Sequence, residues 1–431
     1  MALELGVAAE QLVAAGAAVV GTFGGGVGVF ADERALGAGL AQHVELGGTQ
    51  LLAPFVIGLR DGIVVALLST HMPNNTKGRT HLPGSVHSMA KPLMLTLPGP
   101  DGIERTVRLS SPDRVIWPDS DHGAAITKAD LAAYIEAVGP ALIGGIGDRP
   151  VTLQRFPKGI TGEEFYSKNP PKGVPDWVRT TPCTYPSGRQ HNQLVLDEVA
   201  AVIWAVQMNT ITFHPWPVRT ANNDNPDEVR IDLDPQPGRS FAEVLEVAVA
   251  LREVMVGLGL TPFVKTTGNR GVHVHASITP EWEFLTVRHA VIGIARELER
   301  GMPTLVTTAW WKEERGDKIF VDFNQACRDR TLAAAYSPRP LPGAPVSTPV
   351  CWDEVDGLDP TVFTVHTVPT RLAERGDLWA DLHESPADLG PALALWEADI
   401  ERGLGEMPFP PDYPKMPGEP RRVQPSRKRD D

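Results

Sequence analysis

Residues 229–235 have the sequence Val-Arg-Ile-Asp-Leu-Asp-Pro, in which apolar and polar side chains alternate up to the proline. Successive side chains of a β-strand point to opposite faces of the sheet, so Asp232 and Asp234 share the face opposite to the apolar residues. Pro235 ends the strand and leaves the two acids at an edge or a cleft. Two carboxylates this close repel each other unless a cation compensates, and hard divalent ions bind carboxylate oxygens. Taken alone, the pattern is more often a solvent-exposed strand face than a metal site.

A third acid occurs in a similar pattern further along the chain. Residues 319–325 have the sequence Ile-Phe-Val-Asp-Phe-Asn-Gln, and the alternation places Asp322 opposite to the apolar residues. If the two strands pair, three carboxylates converge, which is the arrangement used for two-metal displacement at phosphorus. The sequence therefore predicts that Asp232, Asp234 and Asp322 are catalytic and bind two Mg²⁺ or Mn²⁺ ions.

A glycine-containing turn lies between these two segments. Residues 266–275 have the sequence Thr-Thr-Gly-Asn-Arg-Gly-Val-His-Val-His. Its two glycines permit positive φ angles and close approach of the backbone, and its exposed amides suit an anion such as a triphosphate. Of the two histidines, one is expected to contact phosphate and the other to be structural. The predicted nucleotide-binding residues of the turn are Thr267, Gly268, Asn269, Arg270 and His273.

Helical and strand patterns alternate around these motifs. Thr127 with Asp130, and Ser240 with Glu243, have the spacing of capping boxes at helix starts, and residues 285–298 form a third helical candidate. The β-rich runs are 229–234, 262–267, 271–278 and 318–323. This mixed order predicts an α+β or α/β core.

Composition limits the classes of protein that the chain can belong to. The 431 residues carry a net charge of −13, which argues against coating DNA through bulk charge but permits a local basic cleft. The three cysteines have no CxxC spacing, which argues against a zinc site and a disulfide framework. We expect no secretory signal and no membrane span, because the apolar run at residues 10–30 is rich in glycine and lacks a basic start.

Both ends of the chain differ from its middle. Residues 1–88 are rich in Ala, Gly, Val and Leu, and we interpret them as an N-terminal extension of unknown fold that ends in a polar linker at 72–88. This break in composition raises the hypothesis that Met72 or Met89 is the true start. Residues 406–431 are predicted to be a disordered, Pro-rich basic tail.

The three motifs, in this order and at this spacing, resemble those of the archaeo-eukaryotic primase superfamily. More specifically, the chain is similar to the polymerase domain of bacterial ligase D and its stand-alone actinobacterial relatives over roughly residues 100–380. The resemblance implies an α+β primase-polymerase core of mixed β-sheets flanked by helices, which we place at residues 89–405.

Segments that flank the motifs extend the resemblance to DNA contacts. Arg114 and Lys128 match basic residues that grip the 5′-phosphate of a gap or break, and Phe165 and Tyr166 match aromatics that stack on bases. Lys168 belongs to the same template-handling region, and Gln325 is placed with the DNA contacts.

The resemblance also assigns further nucleotide contacts. His214 matches a histidine that touches the ribose and can favour a 2′-hydroxyl. The chain has Gln154 and Arg155 where the family usually has two basic residues, so one phosphate contact departs from the family pattern. Further phosphate and primer contacts are expected from Arg155, Arg315, Lys318 and Arg339.

The activity implied is extension of a primer 3′-hydroxyl across short gaps or breaks in DNA, with ribonucleotides preferred and Mn²⁺ or Mg²⁺ required. A DNA ligase would act in trans, with the Ku end-binding protein as a further candidate partner. We expect a monomer in the bacterial cytoplasm, associated with the nucleoid. A primase that starts chains de novo and a non-catalytic DNA-end-binding module are the two alternatives.

Overall fold

The computed structural model describes residues 91–410 and Tyr413, together with the backbone of four strands near the N-terminus. The chain divides into two compact units, Met1–Val86 and His87–Asp431. The predicted linker at 72–88, the hypothetical starts at Met72 and Met89, and the tail from residue 414 lie outside the described residues.

In the first unit, the described strands form one antiparallel sheet. They are β1 (Ala18–Phe23), β2 (Gly26–Asp32), β3 (Ile57–Arg60) and β4 (Ile63–Ala66). Their order in the sheet is β1-β2-β4-β3. The sequence left the fold of this segment open.

Two hairpins and a five-stranded sheet begin the second unit. The hairpins are β5 (Leu93–Pro98) with β6 (Glu104–Leu109) and β7 (Val115–Trp117) with β8 (Ile126–Thr127). The sheet contains β9 (Val151–Arg155), β10 (Phe165–Ser167), β11 (Arg179–Thr184), β12 (Gln190–Val195) and β13 (Thr210–Pro215). Strand β9 pairs with β10, β12 and β13, so this sheet is organised around β9.

A six-stranded sheet carries the three predicted motifs. Its strands are β14 (Glu228–Pro235), β15 (Phe263–Thr266), β16 (Val272–Ser277), β17 (Val306–Thr307), β18 (Ile319–Val321) and β19 (Pro349–Val350). Their order is β17-β18-β14-β16-β15-β19, with only the β17–β18 pair parallel. Val229, Ile231 and Leu233 of β14 are fully buried in the core, as the alternation predicts.

Six described α-helices flank the sheets. They are α1 (Lys128–Ile146), α2 (Val199–Gln207), α3 (Phe241–Gly257), α4 (Phe284–Gly301), α5 (Val368–Arg375) and α6 (Gly390–Glu401). Both predicted capping boxes are present, at the start of α1 and of α3, and such a cap contributes about 1 kcal/mol to helix stability. The combination of mixed sheets with flanking helices confirms the predicted α+β class.

Helix α1 is the one helix, among the described residues, whose length and composition would allow it to cross a membrane. This is weak evidence for a span, because core helices have the same composition. Leu131, Ile135, Val138 and Leu142 of α1 are buried in the core of the second unit.

The end of the described chain packs against α4. Buried Arg288 donates hydrogen bonds to Glu406 Oε1 at 2.6 Å, to the Met407 carbonyl at 2.9 Å and to the Pro408 carbonyl at 3.1 Å. The ring of Phe409 lies 4.0 Å from the Arg288 guanidinium. Ordered contacts therefore continue past residue 405, into the segment that the sequence assigned to the tail.

Candidate active site

The three predicted carboxylates converge because β14 lies next to β18. Leu233 pairs with Val321, and the amide of Asp322 donates to the carbonyl of Asp232 at 3.0 Å, so these two acids are cross-strand neighbours. Asp234 lies two residues further along β14 and is exposed. Strand β18 ends at Val321, and Asp322 caps the 3₁₀-helix Phe323–Ala326 that follows.

The environment of these acids disfavours their charged forms. Burial raises the pKa of Asp232 to about 6, although nearby Lys265 and Arg339 oppose the shift. Burial, together with the charge of Asp232, raises the pKa of Asp322 to about 6. The pKa of Asp234 is also raised, by burial and then by Asp232. Three acids that repel one another in this way form a site that a bound cation would stabilise.

Short hydrogen bonds orient Asp322. Its Oδ1 accepts from the amide of Asn324 at 3.0 Å, and its Oδ2 accepts from Nε2 of Gln325 at 2.8 Å. Gln325, predicted to contact DNA, is thus a partner of a predicted metal ligand. Arg288 donates to Oδ1 of Asn324 at 3.0 Å, which connects this capping segment to the packed C-terminal residues.

The glycine-containing turn packs tightly against the rest of the site. Gly268 has a φ of +70°, and a Cβ atom there would lie 2.6 Å from Cγ of Arg339. At Gly271 a Cβ atom would lie 2.5 Å from the Leu233 carbonyl oxygen, so this glycine is needed for close approach. Oγ1 of Thr267 accepts from the amides of Asn269 at 3.1 Å and Gly271 at 3.3 Å, which closes the turn.

A cleft of about 200 Å³ lies between the acids and this turn. The predicted residues that line it are His214, Asp232, Asp234, Thr267, Asn269, Arg270, His273 and Arg339. Gly271, which the sequence marks for close approach of the backbone, also lines it. The other lining residues, which were not predicted, are Leu233, Thr331, Leu332 and Ala333. No motif marks residues 331–333, which follow a loop and carry little chemistry of their own.

Arg339 crosses from one wall of the cleft to the turn. Its NH1 donates to the carbonyl of Thr267 at 2.8 Å, and its own carbonyl accepts from Nε1 of Trp117 at 3.3 Å. The Nε atom is buried and has no hydrogen-bond partner among the described residues. A buried guanidinium with an unused donor beside a cleft is suited to an anionic ligand.

His273 contacts an acid rather than only the cleft. It pairs with Asp232 across β14 and β16, and its Nε2 lies 3.4 Å from Oδ1 of that acid. Its Nδ1 lies 2.7 Å from Nζ of Lys265, which is fully buried and also donates to Oγ of Ser347 at 2.5 Å. Burial lowers the pKa of Lys265 well below its usual value. Sequence reasoning missed Lys265, although it lies in a strand pattern on the same face as His273.

His275 is a structural histidine, as the sequence predicts for one member of the pair. Its Nδ1 lies 3.2 Å from Oε2 of Glu228, and its ring packs 4.9 Å from that of Trp379. Glu228 is also paired with Arg149 and Arg230. Asp227, Glu228 and His383 have the spacing of a metal site, but these arginines already neutralise their charge.

The structure does not bring every predicted contact into the cleft. Arg155 donates to the Met208 carbonyl at 2.8 Å and to Oγ of Ser167 at 3.2 Å. Lys318 donates to the Pro303 carbonyl at 2.7 Å. Arg315 is buried beneath the site, where it donates to the carbonyls of Ala309 and Trp310 and lies 3.6 Å from the ring of Phe320. The charges of Asp322 and Asp234 act on its pKa, which burial lowers.

The predicted 5′-phosphate pair lies together where β7 meets β8. The amide of Lys128 donates to the Arg114 carbonyl at 2.8 Å. Arg114 is exposed, whereas Lys128 is only 2% exposed and its ammonium donates to the carbonyls of Ser110 and Gln207. Burial and the charge of Arg114 lower the pKa of Lys128 to about 8. In this conformation only Arg114 offers its charge to solvent.

The predicted base-stacking residues lie on strand β10. Phe165 is 51% exposed and Tyr166 is 53% exposed, so neither fills the core. The ring of Tyr166 lies 5.7 Å from that of His214 at the cleft. Lys168 pairs with Asp329 at 2.6 Å and lies 5.3 Å from the ring of Tyr185.

His214 lies on β13 and lines the cleft. It is buried, and its Nε2 lies 3.3 Å from Oε1 of Gln154 on the neighbouring strand β9. Nε2 of Gln154 donates to Oε2 of Glu164 at 2.8 Å. Gln154, rather than Arg155, is therefore the residue of this dipeptide that contacts a residue lining the cleft.

Asp232 and Asp234 line a cleft together with a glycine-containing turn and Arg339, and Asp322 follows the neighbouring strand. This is the kind of arrangement that metal-dependent nucleotidyl transfer uses. The family model of the LigD primase-polymerase domain matches residues 127–379, more than half of the chain. The chain belongs to the LigD primase-polymerase family.

Individual relatives agree with this assignment. The chain is 29% identical over 323 residues to a multifunctional non-homologous end joining protein LigD of Mycolicibacterium smegmatis, which covers 73% of this chain and 41% of the relative. It is 33% identical over 280 residues to LigD of Pseudomonas aeruginosa, which covers 64% of this chain and 32% of the relative. The chain thus spans less than half the length of these relatives.

A solved structure matches the same region. The polymerase domain from Mycobacterium tuberculosis ligase D, in complex with DNA, superposes with a TM-score of 0.60 at 29% sequence identity. The match covers 65% of this chain and 99% of that domain. The fold predicted from the motifs is therefore confirmed.

Proposed function

We propose that this chain adds nucleotides to a primer 3′-hydroxyl at short gaps or breaks in DNA, within non-homologous end joining. The observation that carries the proposal is the convergence of Asp232, Asp234 and Asp322 beside the cleft. The names of the relatives, and the DNA in the matched polymerase domain, support the assignment to end joining.

The three carboxylates fit Mg²⁺ or Mn²⁺. They supply only oxygen ligands, which hard divalent ions prefer. Their pKa values are raised mainly by burial, so a bound cation would stabilise their charged forms. Bound there, such ions would lower the pKa of the primer hydroxyl and neutralise charge on the triphosphate. Asn324 and Gln325 would hold Asp322 in a fixed orientation, because each donates to one of its oxygens.

The incoming triphosphate would lie along the glycine-containing turn. Arg270 is exposed and half-buried Arg339 also lines the cleft, and Nε of Arg339 has no hydrogen-bond partner among the described residues. Charge-assisted hydrogen bonds from arginines to phosphate are stronger than neutral ones and fix the orientation of the ligand. Close packing of Gly268 on Arg339 would keep this clamp preformed.

DNA would be held outside the cleft. The exposed rings of Phe165 and Tyr166 can stack on template bases, which contributes about 1–3 kcal/mol per base without regard to sequence. Arg114 would bind the 5′-phosphate, and Lys128 would join it only if its ammonium leaves the carbonyls of Ser110 and Gln207.

Ribonucleotide preference would come from His214. This histidine lines the same cleft as the turn, so it can contact the ribose of a nucleotide whose phosphates lie on the turn. Because buried polar groups discriminate strongly against a substrate that leaves them unpaired, a contact to the 2′-hydroxyl would favour ribonucleotides.

The remaining parts of the proposal concern the cell. A DNA ligase would seal the filled gap in trans, with Ku as a candidate for holding the ends. We propose a monomer associated with the bacterial nucleoid, in which residues 89–405 are the catalytic domain and residues 1–88 are accessory.

The decisive experiment is extension of a 5′-phosphorylated gapped duplex with each rNTP and dNTP, in Mn²⁺, Mg²⁺ or chelator. We expect addition that requires a divalent ion and stops in Asp232→Ala and Asp234→Ala, while both variants still bind the DNA. Asp121→Ala, a change at an exposed acid, serves as the matched control.

Three outcomes would contradict the proposal in different ways. Extension by the Asp232→Ala, Asp234→Ala double mutant would refute the assignment of the acids. Synthesis on a template without any 3′-hydroxyl would favour a primase. DNA binding without any incorporation would favour an end-binding module.

A further inference from the structure

Gln154 connects His214 to an acidic side chain outside the cleft. Oε1 of Gln154 lies 3.3 Å from Nε2 of His214, and Nε2 of Gln154 lies 2.8 Å from Oε2 of Glu164. Gln154 is only 4% exposed, so its amide has little access to water and depends on these two partners. Strands β9 and β13 pair antiparallel, with Phe213 opposite Leu153, which brings the two side chains together.

The partners of Gln154 determine where the proton of His214 lies. The amide nitrogen of Gln154 donates to the Glu164 carboxyl oxygen, so this end of the amide faces the acid. The amide oxygen then faces His214 and can only accept, which requires a proton on Nε2 of the imidazole. A neutral imidazole with a proton on Nε2 has none on Nδ1.

The imidazole is neutral under ordinary conditions. Burial, with contributions from Arg339, Lys265 and His273, lowers the pKa of His214 to about 3. Its Nδ1 has no hydrogen-bond partner among residues 91–410, and the ring lines the cleft. An acceptor nitrogen is therefore available to a ligand in the cleft.

We propose that Gln154 and Glu164 are specificity-determining positioning residues, which hold His214 in the tautomer whose Nδ1 accepts a hydrogen bond from a ribose 2′-hydroxyl. This inference rests on the proposed function, and it specifies how the site recognises the sugar. A deoxyribonucleotide has no donor at this position and leaves the buried acceptor unpaired. We expect this unpaired acceptor to disfavour deoxyribonucleotides about tenfold.

The tautomer can be measured without any substrate. Long-range ¹H–¹⁵N correlation spectra of the intact protein distinguish the two nitrogens of each imidazole, and His214→Gln identifies the signals of His214. We expect wild type to carry the proton on Nε2, and Gln154→Met, which keeps the side-chain length but removes both hydrogen bonds, to give a mixture of tautomers. A proton on Nδ1 in wild type, or an unchanged spectrum in Gln154→Met, would overturn the proposal.

The functional test uses a pair of adjacent acids. Glu164→Gln allows the Gln154 amide to turn either way, whereas Glu163→Gln makes the same charge change at a neighbouring exposed position. We expect Glu164→Gln to lower the ratio of kcat/KM for rNTP to kcat/KM for dNTP about tenfold, mainly because kcat/KM for rNTP falls. We expect Glu163→Gln to leave this ratio unchanged.

Equal rNTP-to-dNTP ratios of kcat/KM in these two variants would overturn the proposed role of Gln154 and Glu164. Absence of nucleotide addition by wild type would instead overturn the proposed function, and with it the contact to ribose. The spectra separate that failure from a wrong assignment of the proton, because they require no turnover.

Discussion

Asp232 has a polar neighbour on each side, with Asp322, just past the end of β18, on one side and His273 of β16 on the other. Burial raises the pKa of both acids, and the charge of Asp232 adds to the shift at Asp322. Nothing in the core requires a carboxylate at this position. At this scale, the site is costly to the folded protein until a cation binds.

The pH dependence of stability in Asp232→Asn tests how much the charge of Asp232 destabilises the folded protein. The pKa of about 6 lies above the ordinary value of 3.8, so the folded protein binds more protons than the unfolded chain between these values. The free energy of unfolding of the ion-free protein should therefore fall as pH rises from about 4 to about 6. In Asp232→Asn, the part of this decrease that comes from Asp232 should be absent. We expect Asp232→Asn to raise the Tm of chelator-treated protein by about 2–4 °C at pH 7.5 and by almost nothing at pH 4.

The control for this prediction is Asp121→Asn, because Asp121 is exposed and lies outside the cleft. A Tm gain that is equal at both pH values would show that the effect does not come from ionisation. Added Mn²⁺ should raise the Tm of wild type but not that of Asp232→Asn, because a ligand stabilises only the form that binds it.

Gly268→Ala tests whether the turn preforms the arginine clamp. The added Cβ would meet Cγ of Arg339 at 2.6 Å, and the positive φ adds backbone strain of about 1 kcal/mol. Gly259→Ala is the matched control, because its φ of +81° carries the same strain but its Cβ would meet nothing within 4 Å. We expect Gly268→Ala to raise the KM for nucleotide about tenfold, and Gly259→Ala to lower stability alone. Equal KM values in steady-state extension would contradict the clamp.

Among the elements, α4 connects the C-terminal segment to the catalytic acids. Arg288 binds Glu406, Met407 and Pro408 on one side and Asn324 on the other, and Asn324 donates to Asp322. Each of these bonds uses a donor that is buried and has no access to water. The segment after α6 thereby supports an acid that lies more than eighty positions earlier in the sequence.

Truncation measures how much this support contributes. A chain that ends at Gly405 removes three acceptors to which Arg288 donates, and a buried donor without a partner costs about 1–3 kcal/mol. We expect this chain to lose several degrees in Tm and at least tenfold in nucleotide addition, because Asn324 no longer fixes Asp322. A chain that ends at Tyr413 should behave like the full chain. Equal activity of the two truncated chains would show that the C-terminal segment does not support the site.

Elements that follow local rules could be predicted from the sequence. The capping boxes of α1 and α3 and the alternation along β14 depend on neighbouring residues, and all three are present. The burial of Lys128 depends on carbonyls of Ser110 and Gln207, which only tertiary packing brings together. The same holds for Arg315 and Lys318, whose partners are carbonyls of irregular segments. Lys265 differs, because it pairs with His273 across two strands and the alternation could have indicated it. The positions of site residues were thus predictable where they follow strand alternation. They were not predictable where a long basic side chain donates to a carbonyl that tertiary packing brings near.

At the scale of the whole molecule, the described core is built from residues that follow the first unit. Hydrophobic residues from Leu97 to Ala392 form one cluster beneath both sheets of the second unit. The family model also begins well after the first unit, at residue 127. Catalysis and stability are therefore expected to reside in the second unit.

Deletion of residues 1–86 tests this division. We expect a chain that begins at His87 to keep the Tm of the main unfolding transition within about 2 °C and to keep nucleotide addition within about twofold. Differential scanning calorimetry and the gapped-duplex assay measure both quantities. Collapse of the main transition would show that the core needs the first unit.

Asp232, His273 and Lys265 form a row across the neighbouring strands β14, β16 and β15, and Asp322 extends this row just past the end of β18. A slip of β14 by a single position would turn its acids toward the core and Ile231 and Leu233 toward solvent. A molecule with this register shift would therefore lose both its active site and its hydrophobic core. Molecules with this wrong register would also be the least stable. Proteases that degrade unfolded protein in the cell would therefore remove the inactive molecules as well.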